Sequence, residues 1–254
     1  MHKGFDASHY QRTLNGMTVK NSGLSEFGWI KSTEALTYQD PTFYVFANSL
    51  EAAGHPYGPY HFYREVGGSF DQAKFWFDHS RVGGVVPMLD VEVDPVTEAH
   101  LDAVLTASDH LFGVKVALYT FDGFVDSHKW MKKYHGQRPI VMARYSTNPP
   151  RNAWDVWQFT DNYVIPGMGS HPDGDQTDNL SSILIKLKPT PDVVQGDVMA
   201  AISTDQIVAD IQNSKEQLDV LTYQVDNIQK AVHVMEKLLV SWAQTNNIPI
   251  PSED

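Results

Sequence analysis

Short apolar runs and longer mixed stretches alternate through the first two thirds of the chain. The apolar runs fall at residues 4–7, 28–31, 58–63, 85–91, 114–120, 139–145 and 154–159. Each has the length of a strand rather than of a helix. Between several of them, at 41–53, 70–80, 97–111 and 123–134, the sequence reads as helix. Strands that alternate with helices predict βα units and a parallel sheet. Seven or so strands over about 180 residues predict a closed or nearly closed barrel, on the short side for that architecture. Residues 161–180 carry Asn162, Gly167, Gly169, Pro172, Gly174 and Asn179, all turn formers, and read as a long loop.

The period then changes. Lys186 to Pro191 (Lys-Leu-Lys-Pro-Thr-Pro) breaks any helix and marks a linker. Beyond it apolar residues stand at Ile207, Ile211, Leu218, Leu221, Val225, Ile228, Val232, Met235, Leu239 and Trp242. Spacings of four and three alternate, with Ser214 the only polar member of the seam. This is a coiled-coil pattern, and some 40 residues of it would make a rod about 60 Å long. Its flanking positions are largely uncharged, with Ala231, Leu238 and Ala243 widening the apolar stripe. Such a helix either joins copies of the chain or folds back on its own barrel, and the first is expected. The fold class is therefore α/β: a short, irregular TIM-like β/α barrel followed by a C-terminal α-helical coiled-coil segment. The expected division is a barrel over 1–183, a linker with a short helix over 184–202, an oligomerising helix over 203–246 and a frayed tail over 247–254.

Composition narrows the chemistry. The chain of 254 residues has no cysteine, which removes disulfides, thiolate catalysis and cysteine-bound zinc. A net charge of −12 and the lack of any basic run argue against nucleic acid and anionic membrane as partners. No apolar stretch reaches the roughly 20 residues that span a bilayer. The start, Met1-His2-Lys3-Gly4-Phe5-Asp6, lacks the apolar core of a signal peptide. Eleven histidines invite a metal reading, but none falls at a ligand spacing. No cofactor or metal is expected.

Asp90-Val91-Glu92 is the most informative stretch. It ends the apolar run Val85-Val86-Pro87-Met88-Leu89. Residues i and i+2 of a strand share a face, so the two carboxylates leave the strand side by side, Cα atoms roughly 6.5–7 Å apart. Paired carboxylates at that separation suit the cleavage of glycosidic bonds. An isolated Asp-x-Glu is more often a solvated strand end. Here Asp6, Glu34, His61, Asp90 with Glu92, and Arg144 all stand at or just beyond strand ends. Five such positions would converge on one barrel mouth, where barrel chemistry sits.

The order of motifs resembles the glycoside hydrolase 25 family, the Chalaropsis-type muramidases common among phage endolysins. Gly4-Phe5-Asp6-Ala7-Ser8-His9-Tyr10-Gln11 resembles the family's first strand, and Lys31-Ser32-Thr33-Glu34 with Tyr38 and Asp40-Pro41 the second and its loop. Gly58-Pro59-Tyr60-His61-Phe62 resembles the third strand, and Met88-Leu89-Asp90-Val91-Glu92 the catalytic fourth. Leu118-Tyr119-Thr120, Ala143-Arg144-Tyr145 and Trp154-Asp155-Val156-Trp157-Gln158-Phe159-Thr160 resemble the later strands. The likeness covers about 1–180 and leaves the C-terminal region without a counterpart.

The resemblance implies hydrolysis of the β-1,4 bond from N-acetylmuramic acid to N-acetylglucosamine in peptidoglycan. It implies four acidic site residues, of which Asp6, Asp90 and Glu92 map directly. The fourth belongs to the last loop, normally as Asp-x-Asn before an aromatic. This chain departs from that pattern with Gly174-Asp175-Gln176-Thr177-Asp178-Asn179-Leu180, where Asp178 is the first choice and Asp175 the second. Glu92 is expected as general acid, its pKa raised by its carboxylate neighbours. Asp90 would stabilise the oxocarbenium charge, by orienting the 2-acetamido group or as nucleophile. Tyr60, Tyr119 and Trp157, with Trp130 behind them, are candidates to stack on sugar. His61 reads as a hydrogen-bonded barrel residue before a proton carrier. Arg144 is expected to pair with the acidic cluster. The expected setting is a phage endolysin, acting from the host cytoplasm on the wall after holin-type release, or a virion-associated lysin. The alternative is a non-catalytic glycan-binding protein assembled through its coiled coil.

Overall fold

The computed structural model describes residues 1–185. The strands are β1 (His2–Ala7), β2 (Phe27–Glu34), β3 (Tyr38–Gln39), β4 (Tyr57–Phe62), β5 (Met88–Asp90), β6 (Ala117–Phe121), β7 (Ile140–Ala143), β8 (Val156–Thr160) and β9 (Asp173–Thr177). The helices are α1 (Gly16–Ser22), α2 (Phe43–Ala53), α3 (Ser69–Asp78), α4 (Glu98–Phe112) and α5 (Asp122–Ser127). Strand order runs β1-β9-β8-β7-β6-β5-β4-β2, and β1 also pairs with β2, so eight strands close into a barrel. Strands β1, β2, β4, β5, β6, β7 and β8 are parallel. Strand β9 runs antiparallel between β8 and β1, and β3 is a short flap on β2.

Alternation along the strands sorts side chains into two layers. One set fills the barrel: Phe27, Trp29, Tyr60, Met88, Ala117, Tyr119, Val141 and Val156. Their neighbours point to the helices. Leu89, Val91, Leu118, Ile140 and Met142 pack with Leu101, Val104 and Leu105 of α4. Phe5 and Ile30 pack with Phe43, Phe46 and Leu50 of α2. The floor is tight. A Cβ on Gly4 would lie 2.3 Å from the Phe27 ring, so glycine is what lets β1 pass that ring. Helix α4 shows how local chemistry sets the boundaries. Thr97 caps its start by accepting from His100 N–H, and Gly113 ends it in the left-handed conformation at φ +69°.

All seven expected strands are present, some trimmed, and so are the expected helices. Three elements differ, of which the short flap β3 is one. Residues 161–180 are not one loop, because β9 lies inside them and closes the barrel. Helix α1 occupies a stretch the hydrophobic pattern leaves blank. It is seven residues long, buries only Gly16 and Val19, and depends on its Asn15 cap, which accepts from Thr18 N–H at 3.0 Å. The linker and coiled coil expected over 184–254 lie, beyond Ile185, outside the described residues.

Candidate active site

Where the parallel strands end, a cavity of about 220 Å³ opens. Asp6, Lys31, Tyr60, Phe62, Asp90, Glu92, Tyr119, Gln158 and Asp173 line it, with Ser8, Tyr10 and Gln11 at one rim. A second hollow, walled by Phe121, Ala143, Arg144 and Tyr145, shares Glu92 and Tyr119 with it. Glu92 therefore stands at the junction of the two arms of one cleft. A further cavity of about 280 Å³, lined by Leu118, Val125, Met131, Ile140 and Met142 among others, has no acidic residue in its wall.

Each carboxylate arrives by strand register. Asp6 of β1 is opposite Asp173 of β9, and Asp90 of β5 is opposite Tyr119 of β6. Asp175, two residues on from Asp173, faces the barrel interior beneath it, with both oxygens buried and no hydrogen-bond partner. Gathering these groups away from water raises their pKa values. Burial pushes Asp6 well up, the Asp173 charge adds to this, and a hydrogen bond from Gln158 opposes it. Burial does the same for Asp90, reinforced by Glu92 and Asp6. Burial and the nearby Asp161 push Asp173 up to about 6. Asp175 is raised by burial and by Asp6 and Asp173.

Glu92 is raised too, but the cause differs from the sequence-based expectation. Burial lifts it, while the Lys31 and Arg64 charges draw it back. Like-charge repulsion acts mainly on its deeper neighbours. So close a set of acids loses protons as a group and not residue by residue. Lys31 is the cation in the cavity wall. Its ammonium donates to Glu34 at 2.6 Å, and Arg64 reaches Glu34 from the other side at 3.0 Å. Burial pushes the Glu34 carboxyl up, but these two partners outweigh it and hold the pKa below its ordinary value.

The structure places the expected residues as follows. Asp6, Asp90, Glu92, Tyr60 and Tyr119 meet in the cavity. Glu34 sits beside it, tied to Lys31 and Arg64. Asp178 does not join them. Its side chain is 72% exposed and lies 3.8 Å from the Met1 amine at the opposite end of β1, because Thr177 and Asp178 lie toward the barrel floor. Asp173 is instead the fourth acidic residue in the cavity wall, beside Asp6, Asp90 and Glu92. The signal was available: Asp173-Gly174-Asp175 repeats the i, i+2 spacing of Asp90 and Glu92.

His61 points outward. Its ring bonds Thr33 at 2.7 Å and Gln72 of α3 at 2.9 Å, stacks on Trp76, and is pushed down to about 4 by burial. Trp157 also faces away, since its neighbour Gln158 takes the inward position, and its indole donates to the Arg144 carbonyl at 2.8 Å. Trp130 packs on the outer core beside α4. Arg144 lines the second arm of the cleft but pairs with Asp122 at 3.2 Å, not with the acidic cluster. Gln158, Lys31 and Tyr145 were not singled out in the sequence, because none belongs to an acid pair or a metal spacing.

The sequence profile described as glycosyl hydrolases family 25 matches residues 5–168. The chain belongs to that family. The autolytic lysozyme of Clostridium acetobutylicum is 25% identical over 182 residues, 68% of this chain and 55% of that protein. Lysozyme M1 of Streptomyces globisporus is 35% identical over 99 residues, 37% of this chain and 33% of that protein. The chain thus spans less than two thirds of the length of either curated relative. Among solved structures, the muramidase from Trichobolus zukalii is 29% identical, with a TM-score of 0.59 over 70% of this chain and 94% of that one. The acidic cleft lies within the family-25 barrel apart from Asp173 and Asp175, which follow the matched segment.

Proposed function

We propose that this family-25 chain is an N-acetylmuramidase that hydrolyses the β-1,4 bond from N-acetylmuramic acid to N-acetylglucosamine in bacterial peptidoglycan. The observation that carries this reading is the meeting of Asp6, Asp90, Glu92 and Asp173 in one cleft at the carboxyl ends of the barrel strands. Glu92 is the general acid. It stands where the two arms join, so a glycosidic oxygen bridging them comes within its reach. It is also less buried than Asp90, so it can regain its proton from solvent. Asp90 lies deeper and stabilises the positive charge that develops on the sugar as the bond opens. Asp6 and Asp173 accept hydrogen bonds from the same sugar. Tyr60 and Tyr119 wall the cavity against water, which strengthens each of these interactions.

Digestion of purified peptidoglycan, followed by borohydride reduction and mass spectrometry, tests the reaction. Reduced N-acetylmuramic acid at the new ends is expected; reduced N-acetylglucosamine would instead mean a glucosaminidase, and no new ends no glycosidase at all. For its setting we propose a phage-type lysin, which reaches the wall by holin-type release or as part of a virion. The heptad pattern over 203–246 supports a homo-oligomer that presents several barrels to one wall, with a gain in avidity. Sedimentation of the full chain would show a multimer; a monomer at all concentrations would remove that part of the proposal.

A further inference from the structure

Gln158 of β8 is 1% exposed, and its amide is fully engaged. The amide nitrogen donates to Asp6 Oδ2 at 2.6 Å and to Asp173 Oδ2 at 3.3 Å. The amide oxygen accepts from the hydroxyls of Tyr119 and Tyr145, each at 3.0 Å. A primary amide has two donors and two acceptor sites, so all four are used. The orientation is fixed by this set, because a flipped amide would turn its oxygen toward two carboxylates. Four strands and the segment after β7 meet at this side chain. Among the described residues, no other hydrogen-bond donor reaches the Asp6 carboxyl.

Two opposed effects act on Asp6 and Asp173. Burial favours the neutral form of both, reinforced at Asp6 by the Asp173 charge and at Asp173 by Asp161 and Glu92. A neutral carboxylic acid offers substrate a different hydrogen-bond pattern from a carboxylate, which only accepts. An N–H donor restores the balance toward the ionised form without adding charge. A lysine there would also do so, but would add a cation to the cleft. A glutamate would add another acid.

We propose that Gln158 is a positioning residue for the glycosidase reaction. Its amide keeps Asp6 and Asp173 as hydrogen-bond acceptors for the hydroxyl and amide N–H groups of the bound sugar. Through Tyr119 and Tyr145 it also fixes the wall that separates the two arms of the cleft beside Glu92. This inference rests on the muramidase reading and deepens it.

Gln158→Leu and Gln158→Glu in the full chain test it. The first removes the donors and acceptors at similar volume. The second retains an oxygen for the tyrosines but removes the donors to the carboxylates. Site-resolved carboxyl ¹³C NMR should show the Asp6 and Asp173 titrations moving to higher pH in both variants. With a soluble glycan fragment, kcat should fall about 10- to 100-fold, the acid limb of its pH profile moving with the titrations and KM changing less. Because the charge of Gln158→Glu can itself raise its neighbours' pKa values, should Gln158→Leu fail to fold, the uncharged and donor-free Gln158→Met decides. Unmoved titrations, or wild-type kcat in a folded variant, would overturn the proposal. If the wild type cleaved no glycan, the muramidase reading would fall by itself, and the titrations would still decide whether Gln158 holds the two carboxylates.

Discussion

At the scale of the residue, position in a strand decides which carboxylate enters the cleft. Asp173 and Asp178 are five residues apart, yet one lines the cleft and the other meets solvent at the barrel floor. Asp173→Asn is therefore expected to lower kcat/KM about tenfold or more, the worth of one charged hydrogen bond to substrate. Asp178→Asn should leave it within about twofold of wild type, as exposed substitutions usually do. Steady-state rates on a soluble glycan fragment check both, and the reverse ranking would mean that the cleft has been assigned to the wrong acid. His61 belongs to a different class, since its ring bonds link β2, β4 and α3. His61→Leu leaves the buried Thr33 hydroxyl without its partner and removes one bond from Gln72, which should cost about 1–3 kcal/mol in urea unfolding. The pH profile of the remaining folded enzyme should not move.

At the scale of the element, most of the seven parallel strands were legible as short apolar runs, β1 (His-Lys-Gly-Phe-Asp-Ala) being the weakest of them. Strand β9 was not, because it reads Asp-Gly-Asp-Gln-Thr, with no apolar residue to mark it. Its hydrogen bonds to β1 and β8 and its inward carboxylates are properties of the closed barrel, not of its own composition. The same cause hid half of the site. Asp90 and Glu92 end an apolar run and Asp6 stands in the motif Gly4-Phe5-Asp6-Ala7-Ser8, whereas Asp173 and Gln158 enter the cleft only when β8, β9 and β1 come together. His61 and Trp157 show the converse limit: a motif marks a strand end, but the strand's alternation decides which side chain enters the cleft. Packing at the floor is tested by Gly4→Ala, whose Cβ would strike Phe27. The overpacking should cost about 1–3 kcal/mol, read as a lower melting temperature. An unchanged melting curve would show that β1 can shift away from the ring.

At the scale of the whole molecule, the acidic cleft links stability to pH. Asp6, Asp90, Asp173 and Asp175 all have pKa values raised on folding, so the native state binds more protons than the unfolded chain. Their contribution is complete below the ordinary carboxylate range and is lost as pH rises through the folded values. For Asp173 that window runs from the ordinary value of 3.8 up to about 6. Stability by urea unfolding should therefore fall as pH rises across it. Asp173→Asn should flatten the fall and be more stable than wild type at pH 7, on the order of 1–2 kcal/mol after allowance for partial solvation. Such a gain in stability with a loss of activity is expected where like charges are held together for function. The central claim is that Glu92 supplies the proton that opens the glycosidic bond. Its most direct test is the rate of new reducing ends released from purified peptidoglycan by wild type and by Glu92→Gln, with binding to the same peptidoglycan measured alongside. A loss of about 10²- to 10⁴-fold in rate with binding retained is the predicted result; a variant that cleaves at near the wild-type rate would contradict it.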